Sequence, residues 1–129
     1  REYAWRTERG ESVANLQADR VRYVCELSGR TSATVLLKGS RTMIATPDGR
    51  VRINPTGGPA LATGGTGDVL TGMIAGFVAR GLEVADAATV AAFAHGIAGR
   101  LAADELGDGA TAVDVLESVP AALREVSGA

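Results

Sequence analysis

The chain has 129 residues, with 13 Lys or Arg against 15 Asp or Glu and a formal charge of −2. That length suits one domain, and so even a charge balance gives no general attraction to nucleic acid or to an anionic membrane. A single cysteine, Cys25, excludes an internal disulfide framework, and no apolar run reaches the roughly 18 residues of a membrane span.

The charged start "REYAWRTERGE" is not a signal peptide. A soluble cytoplasmic protein is expected, with no nucleic-acid or membrane partner. The chain opens without a methionine, inside a polar segment, which suggests a fragment or a trimmed chain.

Residues 12–29 place Val13, Leu16, Val21, Val24, Cys25 and Leu27 at near-helical spacing, with Gly29 as the expected stop. The run "ATVLL" (33–37) predicts a buried strand ending at Lys38-Gly39. "TMIAT" and "VRIN" flank "PDGR", a Pro-Asp-Gly turn, and so predict a hairpin. Residues 54–67 read as a loop.

From Asp68 the apolar set Val69, Leu70, Met73, Ile74, Phe77 and Val78 marks one helix face, closed by Gly81. Small residues on the other positions, among them Gly72, Ala75, Gly76 and Ala79, would let another element pack closely. A second helix is expected from about Asp86 to Gly107, its alanine-rich surface implying tight burial. Thr111 or Asp114 can cap a last helical segment, in which Pro120 is expected to begin a new turn. Helix, strand, hairpin, glycine loop and helices in that order indicate an α/β layered fold.

The stretch "ALATGGTGDVLTG" (60–72) carries the chemistry. Gly64, Gly65 and Gly67 leave the backbone uncovered, so several N–H groups can point at one anion. The mouth of a helix adds the free N–H groups of its first turn. A carboxylate at Asp68 would repel a phosphate it faced, but aimed at an acceptor hydroxyl it can take that group's proton. The plainer alternative is that Asp68 is an ordinary helix N-cap behind a glycine turn. Neither the P-loop nor the dinucleotide fingerprint is present.

The ordered series K-G-x-x-T (38–42), N-x-T-G (54–57) and A-T-G-G-T-G-D-V-L-T-G (62–72), with "AHGIAGRLAADELG" following, resembles the carbohydrate-kinase-like NAD(P)H-hydrate dehydratases of the ribokinase-like superfamily. The resemblance runs from about Ala33 to the C-terminus. It implies a three-layer α/β/α fold of which this chain is the C-terminal half, a β-hairpin followed by helices. Residues 1–129 would be a partial catalytic domain, with 1–11 an atypical N-terminal segment and 33–129 the nucleotide-binding and catalytic half.

The implied activity is ADP- or ATP-dependent dehydration of hydrated NADH or NADPH: the ring hydroxyl is phosphorylated, then phosphate is eliminated, with Mg²⁺ assisting. By resemblance, Lys38, Gly39, Ser40, Arg41 and Thr42 bind the nucleotide. Gly58 to Gly67 matches the second nucleotide segment, in which Gly64, Gly65, Thr66 and Gly67 bind the nucleotide and Gly67 borders the phosphates. Asp68 corresponds to the acid that contacts the hydrated cofactor and acts as base. Asn54 and Thr56 are expected to shape the loop. His95, in the family's H-G pair, is expected to be a packed structural residue. Cys25 is expected to be inert, and no Cys/His cluster suggests a zinc site.

The family's catalytic domain is about twice this length, and its N-terminal T-P-H-P-G-E loop stands here as Thr7-Glu8-Arg9-Gly10-Glu11, without proline or histidine. Weak or no turnover is therefore expected from this chain alone, and the missing half would leave a strand edge open to homo-oligomer formation. Two other readings remain: a sugar or vitamin kinase of the same superfamily, and a non-catalytic nucleotide-binding module.

Overall fold

The computed structural model of the chain describes residues 17–128. The atypical segment 1–11 and the start of the first expected helix, with Val13 and Leu16, lie outside the described residues. Helix α1 (Arg20–Thr31) begins at Asp19, whose carboxylate accepts the Arg22 N–H. Gly29 lies inside this helix and does not stop it. The left-handed residue Ser32 (φ 52°) closes it, its N–H donating to Ser28 O. Glycine weakens a helix interior without ending it.

Strands β1 (Val35–Leu37), β2 (Met43–Ala45) and β3 (Val51–Ile53) form an antiparallel meander with β2 in the middle. Leu36 pairs with Ile44, and Ala45 with Val51. The second hairpin turns through Thr46–Arg50, where the Thr46 N–H donates to Arg50 O at 3.0 Å and Asp48 holds Arg50 Nε at 2.7 Å. The first turns through Lys38–Thr42, so K-G-x-x-T is a hairpin loop.

The sheet carries helices on both faces. Tyr23 of α1 packs on Leu37, while Leu36 and Ile44 point the other way, toward Leu70, Ala88, Ala91 and Ala92. Ile44, 1% exposed, is worth about 1.5–3 kcal/mol by burial. Strand β1 was expected to be buried but is half-buried along its length, because it lies at the sheet's edge.

Helix α2 (Thr66–Ala79) starts two residues earlier than expected. Helix α3 (Val84–Leu106) is the spine of the molecule, with seven alanines buried along it. Arg52 ties β3 to its first turns through Ala85 O, Asp86 and Thr89 Oγ1.

Helix α4 (Ala112–Ser127) opens with Thr111 as N-cap, in a reciprocal capping box with Asp114. Pro120 was expected to begin a new turn, yet one continuous helix runs through it. Both Pro120 and Leu116, whose carbonyl loses its helical donor, are exposed, so water can satisfy that oxygen. Ile97, Ala98 and Ala102 of α3 pack with Val115 and Ala122 of α4.

Among the described residues nothing packs closely on the small-residue side of α2: Gly72, Ala75, Gly76 and Ala79 are exposed, and a Cβ on either glycine would meet nothing within 4 Å. The described architecture is an α/β fold.

Candidate functional site

A cavity of about 520 Å³ lies between the first hairpin loop and the segment that leads from β3 to α2. Lys38, Gly39, Ser40, Arg41 and Thr42 make one wall, Asn54 to Pro59 with Leu61 and Ala62 the other, and Leu70, Ala92 and His95 the floor. All five K-G-x-x-T residues therefore line one space. Arg41 takes a left-handed backbone (φ 57°) at the loop's tip.

The second wall is seated on α3 by side chains whose role was expected to be shaping. Asn54, 8% exposed, donates to Thr56 O at 3.1 Å and to Ala92 O at 3.0 Å. Thr56 Oγ1 donates to Phe93 O at 2.9 Å or to Asn54 Oδ1 at 3.0 Å. Gly96 makes room for this seat: a Cβ there would lie 2.0 Å from Thr56 Oγ1 and 2.7 Å from Gly57 N. At Gly99 a Cβ would meet Leu61 at 2.5 Å.

Lys38 and His95 converge on Thr66, the first residue of α2. Lys38 Nζ donates to Leu61 O at 2.5 Å and to Thr66 Oγ1 at 3.1 Å. Burial lowers the Lys38 ammonium below its usual 10.5. His95 Nε2 lies 2.8 Å from Thr66 O. A carbonyl can only accept, so this nitrogen carries the proton and the imidazole is the Nε2–H form. Burial first, then the Lys38 charge, push the ring below its usual 6.5, against an upward pull from the Thr66 carbonyl. The expectation of a packed, bonded histidine agrees with this geometry.

The glycines sit just outside the cavity. Gly65 (φ +90°) is the N-cap of α2, and a Cβ on it would crowd Ala112 at 3.0 Å. Gly64 and Gly67 differ: a Cβ at either would meet nothing within 4 Å. Nothing among the described residues demands glycine there, whereas a ligand approaching the backbone would. The backbone N–H groups of Gly64, Gly65 and Gly67 have no partner among the described residues. Together they form an open cluster of donors at the positive end of a 14-residue helix.

Asp68 is exposed and does not line the cavity. It is the third residue of α2, and no side-chain cap bond is made at this terminus. The plain N-cap alternative therefore does not hold: Gly65 occupies that position and Asp68 sits beside the donor cluster with its carboxylate free of hydrogen bonds among the described residues. The two motif segments meet at the Lys38–Thr66 contact.

The N-P-T-G and H-G patterns gave Asn54 and Thr56 a shaping role and His95 a structural one; what they did not give is that Asn54 to Pro59 wall the cavity and that His95 tethers the start of α2. Among the described residues no three His, Cys, Asp or Glu side chains converge to hold a metal ion, and no helix is long and apolar enough to cross a membrane. Cys25 is half-buried with a free thiol.

The family model for NAD(P)H-hydrate dehydratase matches residues 8–121. A bifunctional NAD(P)H-hydrate repair enzyme of Thermofilum pendens is 48% identical over 116 residues, covering 89% of this chain and 22% of that protein. The ADP-dependent (S)-NAD(P)H-hydrate dehydratase of Bacillus subtilis is 43% identical over 96 residues, covering 74% of this chain and 35% of its own. A solved structure of the ADP/ATP-dependent NAD(P)H-hydrate dehydratase from Bacillus subtilis, co-crystallised with ATP/Mg²⁺, superposes with a TM-score of 0.85 at 36% identity. That alignment takes in 91% of this chain but 43% of the neighbour. The chain thus spans less than half the length of each of these relatives.

Proposed function

The chain belongs to the NAD(P)H-hydrate dehydratase family, and from that premise we propose that it supplies the nucleotide-gripping and proton-accepting half of an ADP- or ATP-dependent NAD(P)H-hydrate dehydratase. The observation that carries this reading is the Asp68 carboxylate, free of hydrogen bonds among the described residues, standing beside three N–H groups that have no partner among them at the start of α2. An ordinary helix start satisfies such donors with a side-chain cap; this one leaves them open.

In this reading the N–H groups of Gly64, Gly65 and Gly67 hold the oxygens of the nucleotide's terminal phosphoryl group, fixed dipoles stabilising charge that grows during transfer. Lys38 and Arg41, on the hairpin loop, add positive charge along the phosphates. Asp68 accepts the proton of the ring hydroxyl as its oxygen bonds to phosphorus and AMP or ADP departs. Phosphate then leaves the ring carbon, a neighbouring carbon loses a proton, and the ring double bond is restored. The cavity walled by Lys38–Thr42 and Asn54–Pro59 receives the rest of the nucleotide. Mg²⁺, if it binds with the nucleotide, would neutralise phosphate charge; among the described residues no three His, Cys, Asp or Glu side chains converge to hold it.

The test has two stages. ADP and ATP are titrated into the chain with Mg²⁺ and binding is followed calorimetrically; saturable binding is expected, and its absence at millimolar nucleotide counts against the reading. The full-length domain is then given hydrated NADH with ADP or ATP. Returning reduced-nicotinamide absorbance with phosphate release supports the dehydratase, whereas a stable phosphorylated product points to a kinase.

A further inference from the structure

Arg20 belongs to none of the motifs, yet its guanidinium reaches across from α1 to the hairpin loop. Nη2 donates to Leu37 O at 3.1 Å and Nη1 to Ser40 O at 2.6 Å. These two carbonyls stand on either side of Lys38-Gly39. The guanidinium also lies against the loop's glycine: a Cβ on Gly39 would come within 2.9 Å of Arg20 Nη2 and 3.3 Å of its Cζ, and Gly39 has φ +157°. Arg20 Nε is buried without a partner among the described residues, a cost that the two carbonyl bonds offset.

We infer that Arg20 is a positioning residue for the nucleotide loop, its planar fork fixing Leu37 O and Ser40 O so that Lys38–Thr42 keeps one shape against the cavity. The inference rests on the reading of that loop as nucleotide-binding. Two carbonyls gripped by one rigid group fix both position and direction, which a single flexible ammonium does less well. With those carbonyls turned back toward α1, Lys38 extends the other way, to Leu61 O and Thr66 Oγ1. The clamp behind the loop and the lysine in front of it therefore act on the same five residues. A side chain at Gly39 would press on the clamp and would have to adopt a φ of +157° that side chains rarely take.

The experiment compares the wild-type chain with Arg20→Met, which keeps the stem and loses the fork, and with Arg20→Lys. Backbone ¹⁵N order parameters and ADP affinity in the presence of Mg²⁺ are measured for each. In Arg20→Met the order parameters of Gly39–Thr42 should fall toward the flexible range, below about 0.6, while those of α3 and α4 stay near about 0.85. ADP affinity should weaken on the order of tenfold, because binding must then re-order a loosened loop. Arg20→Lys should fall between. Wild-type order parameters across the loop in Arg20→Met overturn the clamp, and a loosened loop with unchanged ADP affinity overturns its link to the nucleotide. Should Arg20→Met not fold, Arg20→Lys decides by the same criteria. A wild-type chain that binds no ADP counts against the functional reading alone, and the clamp is then judged on the order parameters.

Discussion

His95 on α3 holds the backbone of Thr66, a residue 29 positions earlier, by a bond of 2.8 Å from Nε2 to the carbonyl oxygen. The start of α2 is thereby fixed to the middle of the molecule's longest helix. Because burial and the Lys38 charge depress the ring's pKa below 6.5, the unfolded chain takes up this proton before the folded one does. The contribution is therefore complete above about pH 6.5 and is lost as pH falls through the lower folded-state value. His95→Gln keeps an N–H donor and cannot titrate. Urea midpoints measured between pH 5 and 7 should fall on the acid side more steeply in the wild type than in His95→Gln; parallel curves would refute this.

Two glycine-to-alanine substitutions should change stability in opposite directions. In Gly96→Ala the new methyl group would lie 2.7 Å from Gly57 N, so the cavity wall must lift. Overpacking of this kind costs about 1–3 kcal/mol, outweighing the roughly 1 kcal/mol that alanine gains over glycine within a helix. In Gly72→Ala nothing lies within 4 Å, and only the gain remains. Thermal unfolding of the two variants gives the signs directly, and a stabilised Gly96→Ala would mean that the Asn54–Pro59 wall is not seated as described.

Lys38→Met removes the charge between the cavity and the donor cluster. ADP affinity should weaken by about tenfold or more, as expected for a lost charge-assisted contact. The dependence of binding on salt should weaken with it. Calorimetric titration at two ionic strengths measures both, and an unchanged salt dependence would remove Lys38 from the phosphate contacts.

Asp68→Asn separates chemistry from binding. In the full-length domain kcat should drop by about 10²–10⁴, the usual contribution of a positioned base, with ADP affinity held. Because the carboxylate is exposed and makes no cap bond, stability should stay within about 0.5 kcal/mol. Steady-state kinetics beside a binding titration test the assignment, and equal losses in turnover and affinity would contradict it.

Local chemistry made much of the fold legible. Apolar runs around Pro47-Asp48-Gly49 mark the second hairpin, and alanine content marks the buried length of α3. Helix ends were less readable. Gly65 caps α2 through a left-handed backbone, which draws Thr66 and Gly67 into the helix ahead of Asp68. Gly29 and Pro120 read as breakers but lie within helices that packing carries through them. In the candidate site the motif residues were visible, while the contacts joining them were not. The Lys38–Thr66 bond, the His95 tether and the Arg20 fork link residues far apart in sequence, and no local pattern announces such pairings.

The order of the elements also bears on how the chain folds. The three strands form a simple meander, and α2, α3 and α4 pack against their neighbours in sequence, so most loops that must close are short. Docking the meander on the helices, by contrast, joins residues far apart in sequence, Ile44 with Ala88 and Ala91 among them, and the side chains that record its completion are those that reach across it, Arg52 and Asn54 among them.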